Sequence, residues 1–198
     1  KLTTRFRVSR APGEAFPSLH DVLVRTQGLA LAGPHRLGAE RPAWDSRFID
    51  AQLKGSLDGT TGRAEAALTL YDGGLLADAS GSIDLDLAAL AGPPAGRWTS
   101  LLRSPVAAQV SFPRRAVDEL TTLPSFVRDA LPPLAGELRI DAYAGGTLAR
   151  PSLTARTLWW GLTYAPPGAT GATELLFPTD LDAWLTYDSE KATLDAHV

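Results

Sequence analysis

The stretch Leu75–Leu87, LLADASGSIDLDL, decides the fold. Apolar or small residues occupy its odd positions, and Asp or Ser occupies the even positions from Asp78 to Asp86. A helix would scatter these two sets around its circumference. A strand separates them, because successive side chains point to opposite sides of a sheet. The pattern therefore predicts a strand with one apolar and one polar face.

The same period of two recurs along the chain and predicts a mostly β fold. Asp72-Gly73-Gly74 is typical of a tight hairpin turn, since glycine readily adopts the positive φ that such turns need. Further strands are predicted at Leu2–Val8, Phe48–Leu57, Arg63–Tyr71, Val106–Phe112, Glu137–Ala144, Ser152–Trp160, Asp182–Tyr187 and Ala192–Val198.

Helical signal is scarce. One helical segment is predicted over Arg114–Leu131, divided at Pro124, and short helical turns are predicted at Leu87–Leu90 and Trp98–Arg103. With so few helices to cover the apolar strand faces, periodicity leaves two arrangements open. One is a β-sandwich or closed barrel, which periodicity alone favours; the other is an open, curved antiparallel sheet.

Composition excludes several classes of function. The chain has 198 residues, 44% of them hydrophobic, and a net charge of −3, so neither nucleic acid nor an anionic membrane surface is an expected partner. It has no cysteine, which removes disulfides, thiol nucleophiles and zinc–thiolate sites. It has no methionine and starts at Lys1, so we expect it to be a piece of a longer exported bacterial protein.

The residues that could carry chemistry form no recognisable site. His20, His35 and His197 are isolated, and no nucleophile, phosphate-binding or metal-binding motif occurs. Acidic residues two apart lie on alternating polar faces, where water is the usual partner. Trp159, Trp160 and Trp184 are expected to pack rather than to bind sugar. We therefore expect no enzymatic activity, no metal and no cofactor. The acidic candidates are Asp84 with Asp86, Asp180 with Asp182, and Asp195 beside His197.

The segment Leu134–Leu153, LAGELRIDAYAGGTLARPSL, resembles a recurrent element of TamB-like proteins of the AsmA superfamily. In that element a strand ends in Gly-Thr-Leu, as at residues 146–148, and the next strand follows a proline, as at Pro151. The Tyr-Asp turns at residues 71–72 and 187–188 also fit. The resemblance covers 45–198, taken as a repeated β segment, and leaves 1–44 as an N-terminal strand and loop region.

The resemblance implies a β-taco, an elongated curved sheet with an apolar groove, in a periplasmic protein anchored in the inner membrane of a Gram-negative bacterium. It implies phospholipid transport between the two membranes and support of outer-membrane protein assembly with a barrel partner. The alternative is a structural or adhesive β-sandwich of an exported surface protein. The expected groove residues, which would contact phospholipid acyl chains, are Ile49, Leu53, Leu57, Leu68, Leu70, Ile83, Leu85, Val110, Phe112, Leu138 and Ile140.

Overall fold

The computed structural model describes residues 1–12, 14–30, 49–117, 134–164 and 178–197. The described strands form one antiparallel sheet of ten strands, and their order in the sheet is their order in the sequence. Two helices lie between the fifth and sixth strands. The elements are β1 (Leu2–Ser9), β2 (Ser18–Leu29), β3 (Ile49–Leu57), β4 (Arg63–Tyr71), β5 (Leu75–Asp84), α1 (Leu87–Ala91), α2 (Pro94–Arg103), β6 (Val106–Ala116), β7 (Leu134–Gly146), β8 (Pro151–Tyr164), β9 (Thr179–Tyr187) and β10 (Ala192–His197).

The sheet is open and curved, which confirms the predicted mostly β fold. Among the described residues β1 pairs only with β2 and β10 pairs only with β9, so these ten strands do not close into a barrel. Within the described residues each strand packs against its sequence neighbours, and no second sheet lies across either face. The alternative of a two-layer sandwich is therefore not what these strands form.

The connections between strands differ at the two ends of the sheet. The connection from β5 to β6 carries both helices, and we call the end where it lies the helical end. The Asp86 carboxylate caps α1 by accepting a hydrogen bond from Ala89 N at 2.9 Å, and a proline occupies the first position of α2. The connections from β2 to β3, β6 to β7 and β8 to β9 leave the opposite end, and most of their residues lie outside the described part of the chain.

Cross-strand register carries the alternation of each strand to its neighbours. Directly opposed residues of an antiparallel pair share a face of the sheet. Because the strands pair residue by residue, apolar positions meet apolar positions from one edge to the other. One such row comprises Val24, Leu53, Leu68, Ala79, Val110, Ala142, Ala155, Leu185 and Leu194.

Bulges keep this alternation in phase where the register shifts. Asp21 has a φ of 52° and is the extra residue between Leu19 and Val22, so that both of these side chains remain on the apolar side. In β8 the extra residue is Gly161, with a φ of 60°, and it lies across from Gly136 of β7, which has a φ of 114°. An added Cβ there would lie 2.6 Å from the Trp160 carbonyl oxygen, a space that only glycine fits.

Most of the predicted elements are present, and two differ. Both short helical turns are confirmed as α1 and α2, within a residue or a few of their predicted bounds. β2 was not predicted, because Asp21 interrupts its alternation. The predicted helix Arg114–Leu131 is wrong at its start, since Arg114–Ala116 complete β6; its remainder after Val117 lies outside the described residues, as does the proposed boundary between residues 44 and 45.

A small hydrophobic core lies at the end of the sheet opposite the helical end. Ile49 and Leu76 are buried there. Partly buried neighbours from β2, β4, β6 and β7 pack against them: Leu29, Leu70, Phe112 and Leu138.

A buried ion pair lies at the same end of the sheet. Arg115 opposes Leu138, so its side chain lies on the apolar side of the sheet, where it pairs with Asp72 of the β4–β5 turn. The side chain of Asp72 is 2% exposed and that of Arg115 is 17% exposed.

Removing the buried carboxylate should destabilise the sheet strongly. Asp72→Ala would remove a buried carboxylate that pairs with the Arg115 guanidinium, and breaking a buried ion pair in this way costs about 3 kcal/mol. We expect the urea midpoint to fall accordingly. Glu65→Ala is the control, because it breaks an ion pair with Arg63 whose side chains are about half exposed, and it should change the midpoint little. Equal losses for the two variants would contradict this role of the buried pair.

Candidate functional site

The register assigns a continuous set of strand residues to one side of the sheet, which we call the apolar face. Its members come from all ten strands, and within the described register Arg115 is its one charged strand residue. Besides the row given above, the apolar face includes Leu2, Phe6, Val8, Leu19, Val22, Ile49, Ala51, Gly55, Leu57, Ala64, Ala66, Leu70, Ala77, Gly81, Ile83, Val106, Ala108, Phe112, Leu138, Ile140, Ala144, Leu153, Thr157, Trp159, Leu181, Ala183, Tyr187, Ala192 and Ala196.

Ten of the eleven predicted groove residues lie on this apolar face. They belong to five strands, β3 to β7: Ile49, Leu53, Leu57, Leu68, Leu70, Ile83, Val110, Phe112, Leu138 and Ile140. The eleventh, Leu85, comes after the last residue of β5, where its backbone N–H donates a hydrogen bond to the Gly62 carbonyl oxygen at 2.9 Å.

Much of the apolar face is open to solvent. Among the described residues only Ile49, Leu76 and Ala77 are buried hydrophobics. Side chains on interior strands, which the core of a β-sandwich would bury, are exposed as well. Leu53 is 37% exposed and Val110 is 43% exposed. Contiguous exposed apolar surface of this kind marks an interaction site more often than a free surface.

A row of small residues crosses the apolar face along the sheet, and sequence reasoning did not identify it. Gly55, Ala66, Gly81, Ala108 and Ala144 oppose one another on successive strands, β3 to β7. The row is tightly built, since a Cβ at Gly81 would lie 2.9 Å from the Ala107 carbonyl oxygen. We call it the small-residue row. Larger side chains flank it on both sides: Leu53, Leu68 and Val110 towards one end, and Leu57, Ile83 and Val106 towards the helical end.

The other side of the sheet, which we call the polar face, is covered by charged side chains that pair with one another. Arg156 donates two hydrogen bonds to the Asp182 carboxylate, at 3.0 and 2.7 Å, and its guanidinium lies 4.7 Å from the Trp184 ring centroid. Arg139 binds Asp141 at 2.7 Å. The two arginine side chains are about half exposed and the two carboxylates are partly buried, so the polar face carries local ion pairs at its hydrated surface.

These contacts shift the acid–base equilibria of two carboxylates. The hydrogen bond from Arg139, with a further one from Ser111, lowers the pKa of Asp141 below its ordinary value of 3.8. The hydrogen bond from Arg156 lowers the pKa of Asp182 in the same direction. Both carboxylates are therefore ionised at neutral pH.

A trough of about 910 Å³ opens on the polar face and crosses β1 to β7. Its floor is the backbone behind the small-residue row, and its walls are polar-face side chains. These include Arg5, Lys54, Ser80, Gln109 and Tyr143. The sequence predicted a groove on the apolar face, and this cavity lies on the opposite one.

The remaining candidates that lie in the described part of the chain do not come together in one site. Asp180 accepts a hydrogen bond from Gly161 N at 2.9 Å, and Asp84 lies 3.8 Å from Arg63. His20 contacts Ser9 at 2.8 Å, while His35 lies outside the described residues. In the described part of the chain no three His, Cys, Asp or Glu side chains come together as a metal site would require.

The tryptophans divide between the two faces of the sheet. Trp159 is on the apolar face, whereas Trp160 and Trp184 are on the polar face beneath the guanidinium groups of Arg114 and Arg156. His197 stands edge-on to Trp184, with 5.8 Å between the ring centroids. These rings are thus in contact with the protein's own cations, and the three tryptophans do not form one stacking platform.

Comparison of the chain with models of known protein families, with curated proteins and with solved structures finds no match. Within the described residues, neither helix has the length and hydropathy that crossing a bilayer requires. The candidate site is therefore defined by its geometry alone, which is an open apolar face with an ion-paired polar face behind it.

The two lowered pKa values predict acid sensitivity. A carboxylate whose pKa is lower in the folded state stabilises the fold above its unfolded value, near 3.8, and loses that contribution as the pH falls through the folded value. The double variant Asp141→Asn/Asp182→Asn should be less stable at pH 7 and should show a smaller further loss between pH 4 and pH 2.

Chemical unfolding followed by circular dichroism at several pH values would measure this difference. Glu190→Gln is the control, because no ion pair to the Glu190 carboxylate exists among the described residues. A double variant whose acid-induced loss equalled that of the unmodified chain would refute the assignment.

Proposed function

We propose that this chain is a segment of a periplasmic lipid conduit, and that its apolar face carries phospholipid acyl chains between the two membranes. The observation that supports the proposal most directly is the apolar face itself. It is continuous over ten strands, it lacks a covering layer in the described residues, and its one charged strand residue is paired at one end. The resemblance of residues 45–198 to TamB-like proteins supports the same proposal.

An acyl chain fits the chemistry of this face. Each methylene moved from water to an apolar wall contributes about 0.8 kcal/mol, without requiring directional contacts. Leucine, valine, isoleucine and alanine side chains bind such a chain weakly at every point, so that it can move along the surface. An unpaired charge in its path would be costly to desolvate.

The small-residue row favours movement along the sheet rather than along a strand. It crosses β3 to β7 at about one strand per 4.8 Å, with bulkier aliphatic side chains on either side. A lipid tail lying on this row would meet nearly the same floor at each step. Headgroups would remain in water beside the sheet. The inner-membrane anchor would be part of the longer protein, and the outer-membrane barrel would be its partner.

An adhesive or structural role receives less support. That alternative was tied to a closed sandwich, whose apolar residues would form a dry core, whereas Leu53 and Val110 are more than one-third exposed in the middle of this sheet. Exposed aliphatic surface without a partner would also favour aggregation, a cost that a ligand covering the surface removes.

Two neighbouring alanines allow a matched test of lipid contact. Ala108 is on the apolar face and Ala107 is on the polar face, and both are exposed. A photo-crosslinking amino acid at Ala108 in the full-length protein should capture phospholipid in cells, and the same amino acid at Ala107 should not. Thin-layer chromatography of lipid released from the purified adduct would identify it. Equal capture at both positions, or capture at neither, would contradict the proposal.

A charge at the same two positions tests passage of the lipid. Ala108→Arg should reduce lipid transfer between donor and acceptor vesicles, or outer-membrane integrity in cells, about tenfold or more, since it places an unpaired guanidinium on the small-residue row. Ala107→Arg should leave transfer unchanged. Both sites are exposed, so circular dichroism should show that both variants fold; a folded Ala108→Arg variant with normal transfer would argue against the conduit.

A further inference from the structure

The trough on the polar face has long side chains at its two ends and short ones between them. Cross-strand register places one residue from each of the strands β3 to β7 in a single row along it: Lys54, Ala67, Ser80, Gln109 and Tyr143. Four steps of about 4.8 Å separate the first strand of this row from the last, which gives a length of about 19 Å. The trough is therefore long enough for an extended ligand.

The strands β3 to β7 are all interior to the sheet. Each of them pairs with a strand on both sides, so their backbone groups are already used. A ligand in this part of the trough must therefore be bound by side chains, and a peptide could not bind there by adding a strand. For the same reason the site is independent of what lies beyond β1 or β10.

The middle of the trough offers an amide and a hydroxyl group. Gln109 Nε2 donates a hydrogen bond to Ser80 Oγ at 2.9 Å, which orients both side chains. Within the described residues the Gln109 carbonyl oxygen has no donor, and the Ser80 hydroxyl hydrogen has no acceptor. One group can thus accept a hydrogen bond and its neighbour can donate one. This pair suits a ligand rich in hydroxyl groups, because each hydroxyl both donates and accepts.

Tyr143 supplies an aromatic surface at one end of the row. It is 57% exposed although it belongs to an interior strand. Arginine guanidinium groups cover the rings of Trp160 and Trp184, whereas the Tyr143 ring has no cation or ring contact in the described part of the chain. An open phenol ring is flat and apolar with a polar edge. A sugar ring can stack its C–H groups on such a surface while its hydroxyls reach Gln109.

Lys54 supplies a positive charge at the other end of the row. Its side chain is exposed, and its ammonium group has no hydrogen-bond or ion-pair partner among the residues that the structure describes. The other charged residues that line the trough on β3 to β7 are Arg63 and Glu65, which pair with each other at 2.8 Å. A single available ammonium group suits a carboxylate on the ligand. Nucleic acid would require a series of such cations.

We propose that the trough binds an acidic oligosaccharide. One sugar ring stacks on Tyr143, hydroxyl groups bind Gln109 and Ser80, and a carboxylate of the glycan pairs with Lys54. An acidic peptide would satisfy the charge but would leave the donor and acceptor groups in the middle of the trough less well matched. The site goes beyond the lipid conduit and does not depend on it, because the glycan and the lipid would occupy opposite faces of one sheet.

Two oligosaccharides that differ only in charge test the site in the full-length protein. Hexa-β-1,4-mannuronate has a carboxylate on each sugar, and β-1,4-mannohexaose has the same linkage without carboxylates. Isothermal titration calorimetry at low ionic strength should show that both bind, with a dissociation constant about fivefold lower for the acidic one. An oligoglutamate of the same net charge should bind about tenfold more weakly than hexa-mannuronate, because it lacks the stacking ring and the hydroxyls.

Substitutions at the two ends of the row separate stacking from charge. Tyr143→Ala should raise both dissociation constants about tenfold, whereas Tyr143→Phe keeps the ring and should stay within about threefold of the unmodified protein. Lys54→Gln should remove the preference for the acidic oligosaccharide. The matched controls are Tyr71→Ala and Lys191→Gln, which remove exposed side chains of the same kinds outside the trough and should change neither constant.

Circular dichroism should show that all these variants fold, because every substituted side chain is exposed. Absence of binding by both oligosaccharides would overturn the proposal. So would a Tyr143→Ala variant with unchanged affinity, or one whose loss is matched by Tyr71→Ala. An oligoglutamate that binds more tightly than hexa-mannuronate would show that the trough is a site for acidic peptides instead.

Discussion

The structure depends on keeping side-chain alternation in phase across ten strands. Each antiparallel pair fixes which residues share a face, and a slip of one residue on any strand would exchange its apolar and polar sides. Register shifts do occur, and at Asp21 of β2 and Gly161 of β8 the extra residue takes a positive φ that absorbs the shift. The side chains on either side of these two bulges thus return to their proper faces. Continuity of the apolar face is a consequence of this backbone geometry.

A sheet with one uncovered face must be stabilised differently from a sandwich. Only Ile49, Leu76 and Ala77 are buried hydrophobics in the described residues, so a dry core contributes little. Three kinds of contact stabilise the sheet instead. They are cross-strand aliphatic contacts on one face, ion pairs and cation–π contacts on the other, and the Arg115–Asp72 pair at one end. Since each strand contacts only its sequence neighbours within the described part of the chain, cooperativity is local, as in repeat proteins.

Alternation along the sequence predicted most of the strands and the shared face of ten of the eleven candidate residues, because a period of two is a local property. The strand β2 was not predicted because its alternation is interrupted at Asp21, where only the structure reveals a bulge. The position of Arg115 was not predicted for a similar reason. The register shift after Phe112 turns its side chain onto the apolar face, where it pairs with Asp72. The small-residue row and the trough on the polar face depend on which residues of different strands are opposed, and no local pattern contains that information.

Any strand that pairs with this sheet must match the side-chain alternation of the strand beside it. The ten strands span nine steps of about 4.8 Å, or about 43 Å along the sheet, and the apolar face reaches both edges without a charged barrier on β1 or β10. A strand added at either edge must repeat the same alternation, or its polar side chains would interrupt the apolar face. Continuity of the apolar surface therefore depends on the alternation of every strand that pairs with the sheet, and not on the strands of this segment alone.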